Sequence, residues 1–163
     1  MKYPTTDSRE IDITNETPNC DGCKLVMTTG LPRSGKSTWA RDQGVPVVCP
    51  DAIRIAKTGQ RWWGPIEHEI WATARTMVRA LFLAGHGVVI LDSTCGTREQ
   101  RDFFRPSPDV VWDRYYKTIE TSSLRCKIRA ENTYPELVPV IHWMCKNWEP
   151  IQPEENIEPW EGE

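Results

Sequence analysis

The chain has 163 residues, a formal charge of −3 and 39% hydrophobic side chains. That suffices for one domain with a substantial core, and no apolar stretch approaches the ~18 residues of a membrane span. A signal peptide's hydrophobic region is also missing at the N-terminus, so a cytoplasmic protein (the host's cytoplasm for a viral source) with reduced cysteines is expected.

Residues 1–19 are polar and aperiodic, and are expected to form an N-terminal arm. Cys20 and Cys23 have the spacing of a metal-ligand pair, but a zinc site needs four ligands and no second pair is visible. A turn before the first strand is the simpler expectation. Residues 24–29 are a short apolar run with β-branched members, which predicts a buried strand. Then comes Gly30-x-x-x-x-Gly35-Lys36-Ser37, the spacing of a phosphate-binding loop, followed by a helical stretch over 37–43 that Gly44 stops. Strand, glycine loop and helix is the order such a loop requires. Its N–H groups converge on phosphate oxygens, helped by the helix dipole. Gly30, Leu31, Pro32, Arg33, Ser34, Gly35, Lys36, Ser37 and Thr38 are the expected ATP-binding residues. Lys36 would reach the β- and γ-phosphates and the Ser37 hydroxyl would bind Mg²⁺.

A second strand is predicted over 45–49 and a short helix over 51–57, with Asp51 at its start. Residues 58–64 read as a loop containing Arg61, Trp62 and Trp63; a cation beside aromatic rings can stack bases, though such a pair can equally plug a hydrophobic gap. Pro65 opens the best helix, through about Ala84, with Gly85 as C-cap and an expected core stripe of Ile66, Ile70, Ala74, Met77, Val78 and Leu81. Residues 87–92 form a continuous apolar run ending at Asp92, which suits a strand covered on both faces. Thr97 with Gln100 predicts a capping box. A further strand lies within 110–119, a polar basic helix over about 122–132, and a last helix over about 136–148, with Pro139 tolerable in its first turn. From Pro153 onward a loose tail is expected. Of the eight tryptophans, Trp39, Trp71 and Trp112 are expected to pack, and some others to be exposed.

Alternating strands and helices imply an α/β fold with a parallel sheet, whose ligands sit at the carboxyl ends of the strands. Asp51 and Asp92 follow two such strands, and phosphoryl transfer to a hydroxyl needs carboxylates to take a proton and organise Mg²⁺. Charge is unevenly spread. Five glutamates and no lysine or arginine follow Pro150, which leaves residues 20–149 at +4. A mildly basic body permits a polyanionic substrate.

The segment from Gly30 to Arg41, Asp51-Ala-Ile-Arg54, and Leu91-Asp92-Ser-Thr94 with Thr97-Arg-Glu-Gln-Arg101 together resemble the phage-type polynucleotide 5′-kinases and related small P-loop (AAA-like) kinases. The similarity runs from about residue 25 to 150. It implies a P-loop kinase three-layer sandwich, a central parallel sheet flanked by helices, with a short helical lid around 122–135. The implied divisions are an arm at 1–19, a kinase domain at 20–150 and an acidic tail at 151–163. By the same resemblance Asp51 would be the general base on the acceptor hydroxyl and Arg54 would hold a neighbouring acceptor phosphate. Asp92 and Thr94 would organise the acceptor side, with Asp92 also serving the metal's water shell. The family's lid supplies two arginines four residues apart. Arg125 and Arg129 have that spacing, but counting from the preceding strand makes Arg129 the first and puts Thr133 at the second. Arg129 is favoured on either count.

The resemblance therefore implies ATP and Mg²⁺ as cofactors and a DNA or RNA 5′-hydroxyl as acceptor, with DNA modification or repair as the setting. No Asp-x-Asp-Gly-Thr phosphatase signature is present, so repair of 3′ ends is not expected from this polypeptide. Kinases of a hydroxymethylated base in DNA, or of a nucleotide or sugar hydroxyl, keep the same chemistry with another acceptor. A non-catalytic switch module is the remaining rival; Asp92-Ser93 lacks the acidic pair usual in such proteins.

Overall fold

The computed structural model describes residues 2–3, 11–12, 22–61 and 64–162. Most of the expected N-terminal arm, Cys20, and the Trp62–Trp63 pair lie outside the described residues. Within the arm, strands β1 (Lys2–Tyr3) and β2 (Ile11–Asp12) pair antiparallel.

The body is a five-stranded sheet built from β3 (Lys24–Thr29), β4 (Val47–Val48), β5 (Val88–Leu91), β6 (Asp113–Thr118) and β7 (Glu158–Pro159). Their spatial order is β4-β5-β3-β6-β7, and every pairing is parallel. A parallel neighbour needs a crossover, so helices must cover both faces. Alternate residues of β3 show the result. Leu25 and Met27 enter a core with Ala74, Val78 and Phe82 of α3 (Glu67–Leu83), while Val26 enters another with Trp39 and Ala40 of α1 (Lys36–Asp42). The fold is an α/β three-layer sandwich, as the strand–helix alternation predicts.

Between these lie α2 (Pro50–Thr58) and α4 (Arg98–Asp102). The Thr97–Gln100 capping box forms, with Gln100 N–H donating to Thr97 Oγ1 at 3.3 Å and the Gln100 side chain accepting from Thr97 N–H. Two helices, α5 (Ser123–Glu131) and α6 (Leu137–Lys146), pack on each other through Cys126, Ala130 and Ile141. Leu31 of the glycine loop joins that small core. Pro139 is the third residue of α6, where its missing N–H has no helical partner to lose.

Three expectations need correction. Helix α3 begins at Glu67, after a 3₁₀ turn over Gly64–Ile66, because Pro65 sits in that tighter turn. Its buried stripe is Ile70, Ala74, Val78 and Phe82; Met77 is 41% exposed, since the strict four-residue ladder leaves it off that face. The tail after Pro153 is not loose. Glu155 and Ile157 are buried, β7 extends the sheet beside β6, and Trp160 N–H donates to Tyr116 O at 2.8 Å. Reading the tail by its net charge missed that one glutamate has a buried arginine waiting for it.

Candidate active site

Three strands end at one edge of the sheet and deliver the expected residues there. After β3 the chain enters the glycine loop. Gly30 has φ of +147°, and a Cβ on it would lie 2.9 Å from Ile119 O and 3.0 Å from Ser34 Oγ. Only glycine tolerates both the angle and the approach. Arg33 takes a left-handed φ of 67°, a cost that the surrounding contacts must offset. Gly30 N–H reaches Thr94 O at 3.4 Å, tying this loop to the one after β5. Thr28 makes the same link, donating to Ser93 O at 2.8 Å while accepting from Ser93 N–H.

Lys36 is buried at the start of α1, and its Nζ donates to Leu31 O at 2.7 Å. Burial pushes the ammonium's pKa down, and the carboxylates of Asp92 and then Asp51 pull it back up. The cation therefore bonds its own loop and feels the charge of two acidic residues from the segments after β5 and β4. Ser34 Oγ is buried with no hydrogen-bond partner among the described residues. An orphaned hydroxyl of this kind costs about 1–3 kcal/mol. A phosphate oxygen in the cradle would relieve it. Ser37 and Thr38 are exposed at the first turn of α1.

Asp51 follows β4 as the second residue of α2, and its side chain is 66% exposed. Arg54, one turn on, is 4% exposed. Its Nη1 donates to Asp51 Oδ1 at 2.5 Å, its Nε to Glu67 Oε1 at 2.6 Å and its Nη2 to Glu67 Oε2 at 2.9 Å. Burial alone would lower the guanidinium's pKa, but the bonds from Glu67 and Asp51 outweigh it and hold the group charged. Arg54, expected to hold an acceptor phosphate, is thus engaged by two carboxylates, which leaves the trio net negative. Sequence reasoning missed Glu67. Its partner lies 13 residues away, and an acidic residue at a helix start normally signals only the helix dipole.

Asp92 directly follows β5, with its N–H on Val48 O at 2.8 Å, and is 8% exposed; Thr94 is half-buried. Of the two arginines expected in a lid, Arg129 is half-buried and its Nη1 donates to Arg33 O at 3.0 Å, directly onto the glycine loop. Arg125 is exposed. Thr133 folds its hydroxyl back onto Arg129 O at 2.7 Å. Thr121 Oγ1 adds a second tether from the lid's approach, donating to Ser34 O at 2.9 Å.

Among the described residues there is no cluster of three side chains suited to hold a metal by themselves. The oxygen donors at hand, Ser37 hydroxyl and Asp92 carboxylate, suit Mg²⁺, which takes one or two protein oxygens and completes its shell with phosphates and water.

No protein-family model matches the chain, and no curated protein matches it. Solved structures do. A chain of the Pnkp1/Rnl/Hen1 complex aligns at TM-score 0.56 and 26% identity, over 71% of this chain and 41% of that one. The APS kinase CysC of Mycobacterium tuberculosis, bound to AMPPNP and APS, aligns at TM-score 0.56 and 15% identity over 86% and 90%. A gluconokinase from Sinorhizobium meliloti 1021 aligns at TM-score 0.53 and 18% identity over 85% and 81%. This chain has the P-loop kinase fold. It spans less than half the length of the first matched chains, those of the Pnkp1/Rnl/Hen1 complexes. Among the described residues no helix is long and apolar enough to cross a membrane.

Proposed function

We propose that the chain is a kinase that transfers the γ-phosphate of ATP to a hydroxyl of a nucleic acid, foremost the 5′-hydroxyl of DNA or RNA. The observation that carries this is the solvent-facing Asp51 carboxylate, fixed by the buried Arg54 at the same sheet edge as the P-loop. Asp51 accepts the acceptor's proton as its oxygen bonds to the γ-phosphorus. The bond from that phosphorus to the ADP oxygen breaks. Lys36 and Arg129 stabilise the charge on the transferring group, and the loop N–H groups of Arg33, Gly35, Lys36 and Ser37 hold the phosphates. Mg²⁺, held by Ser37 and Asp92, would shield the phosphate charge. Thr94 and Asp92 line the acceptor side, with Arg125 at the outer margin of the ATP site.

The likeness to a chain of the Pnkp1/Rnl/Hen1 complex supports a polynucleotide acceptor. A second reading has its own support: small-molecule kinases align over as much of this chain or more, 85–86% against 71–83% for the two Pnkp1/Rnl/Hen1 chains. A sugar, nucleotide or hydroxymethylated-base hydroxyl is the acceptor on that reading. The test is γ-labelled ATP with a panel of 5′-hydroxyl DNA and RNA oligomers, hydroxymethyluracil duplex, nucleosides and sugars. Label on the oligomers' 5′ ends is the expected result; label on sugars or nucleosides alone overturns the polynucleotide reading.

A further inference from the structure

Three segments that lie far apart in sequence, the P-loop among them, meet on one aromatic ring. The Arg61 guanidinium, from the loop after α2, lies 4.0 Å from the centroid of Tyr134, and that of Arg33, from the P-loop, lies 5.5 Å from it. Tyr134 itself closes the lid helix, its N–H on Ala130 O at 2.7 Å, with Pro135 next. Arg61 is presented by a fixed turn. Gly59, at φ of 70°, ends α2, and the Thr58 hydroxyl bonds Gln60 O at 3.2 Å and accepts from Gln60 N–H at 3.1 Å. Arg33 is fixed from below by Arg129 on its carbonyl.

Two guanidinium groups on one ring repel each other. Each gains a cation–π contact, worth about 0.5–1 kcal/mol at an exposed site, but neither pairs with a carboxylate among the described residues. Both are exposed. Arg54 is the opposite case: buried, with three of its nitrogens on carboxylate oxygens in a net-negative trio. An incoming phosphate is repelled there and attracted at the ring.

We infer that Arg33 and Arg61, gathered on Tyr134, form an acceptor subsite that binds backbone phosphates of a nucleic-acid strand whose end reacts at Asp51. This rests on the polynucleotide reading above and moves the phosphate-holding role from Arg54, which becomes a positioning residue for Asp51. The subsite uses the side chain of Arg33, whereas the cradle for ATP uses backbone N–H groups of the same loop. A strand reaching beyond its reacting nucleotide engages it, and a lone nucleoside does not.

The experiment pairs binding with transfer, using the full chain. A 5′-hydroxyl DNA 12-mer with fluorescein on its 3′ end is titrated by anisotropy at several salt concentrations, without ATP. Arg61→Ala is expected to weaken binding about tenfold and to lower the slope of log affinity against log salt by about 0.7, one single-strand phosphate contact. Arg61→Lys should recover most of the affinity. In transfer assays Arg61→Ala should raise the 12-mer's KM about tenfold, with kcat, the KM for ATP and any nucleoside activity unchanged. Equal loss on nucleoside and 12-mer, a raised KM for ATP, or wild-type binding by Arg61→Ala each overturns the subsite, as does failure of the wild type to bind the 12-mer. The two proposals fail separately. Salt-dependent binding through Arg61 without transfer to any nucleic acid sinks the polynucleotide kinase and with it the acceptor role of the subsite, leaving only a phosphate-binding surface; transfer to the 12-mer unaffected by Arg61 sinks the subsite and leaves the kinase.

Discussion

Two buried arginines of this molecule are each clamped by a glutamate, and they serve opposite ends. Arg101 is 1% exposed and bonds Glu155 through Nε at 2.7 Å and Nη2 at 2.8 Å, while Nη1 reaches the carbonyls of Cys95 and Glu149. Glu155, at 0% exposed, also accepts from Gln152 N–H at 2.9 Å, and the neighbouring Arg114 donates to the carbonyls of Arg101 and Glu155. That network is closed on every side. It holds the C-terminal segment to the loop after β5, where Trp148 lies so close to Gly96 that a Cβ there would meet its ring at 2.9 Å. Arg54 has the same bidentate glutamate, but its Nη1 goes to a carboxylate that faces water. A closed pair fixes the fold. An open one delivers a reactive group while keeping its anchor dry.

The sharpest way to break this contrast is to remove the delivered group. Asp51→Asn keeps the shape of the side chain and loses the base, so transfer should fall by about 10²–10⁴-fold with ATP binding largely spared. Lys36→Ala should be as severe, through loss of charge at the transferring phosphate. If Asp51→Asn costs under about tenfold in single-turnover transfer, the carboxylate is only a helix start. Circular dichroism should be unchanged in both variants, and transfer is compared below any shifted melting transition.

The closed pair should answer the other way. Glu155→Ala strands the Arg101 charge in the core, at a cost of about 3–5 kcal/mol, or a melting point lower by about 6–20 °C for a domain of this size. Transfer per folded molecule should stay near wild type below the new transition. A loss of kcat without loss of stability would mean that the C-terminal segment works on the chemistry.

How much of this was legible from residues alone follows the distance between partners. The glycine loop, the strand before it, Asp51 and the Thr97 capping box are written within a few residues of one another, and local spacing finds them. Arg101 and Glu155 are 54 residues apart, and the latter sits in a segment whose composition argues for solvent. Phe82 was missed and Met77 included because a generous apolar stripe spans more of the helix than the sheet covers. Arg54 carried the right motif, but a motif cannot say that Glu67 already occupies the guanidinium.

Glu67 supplies a smaller test of the open pair. Glu67→Gln should leave Arg54 leaning on Asp51 alone, so that the carboxylate loses its fixed position. The expected cost is about 1.5–3 kcal/mol, the worth of a hydrogen bond to a charged group, shared between stability and kcat with the KM for ATP unchanged. A thermal shift with wild-type kcat would make Glu67 purely a fold residue.

The smallest effect is in acid, and its sign follows from the closed pair. The Arg101 hydrogen bonds hold the Glu155 carboxyl below its ordinary value of 4.5, against the opposing pull of burial. A carboxyl with a depressed folded pKa binds its proton more readily when unfolded. Its contribution is therefore complete above the unfolded value, and declines as pH falls from about 4.5 through the lower folded value. Urea melts of the wild type from pH 6 to pH 3 should lose stability more steeply below this point than those of Glu155→Gln, which has no proton to take up there. Towards pH 6 the two curves should run parallel, offset by the cost of the substitution. Parallel curves across the whole range would mean that Glu155 titrates alike in both states, and that the pair holds the segment by shape and hydrogen bonds without a charge-linked term.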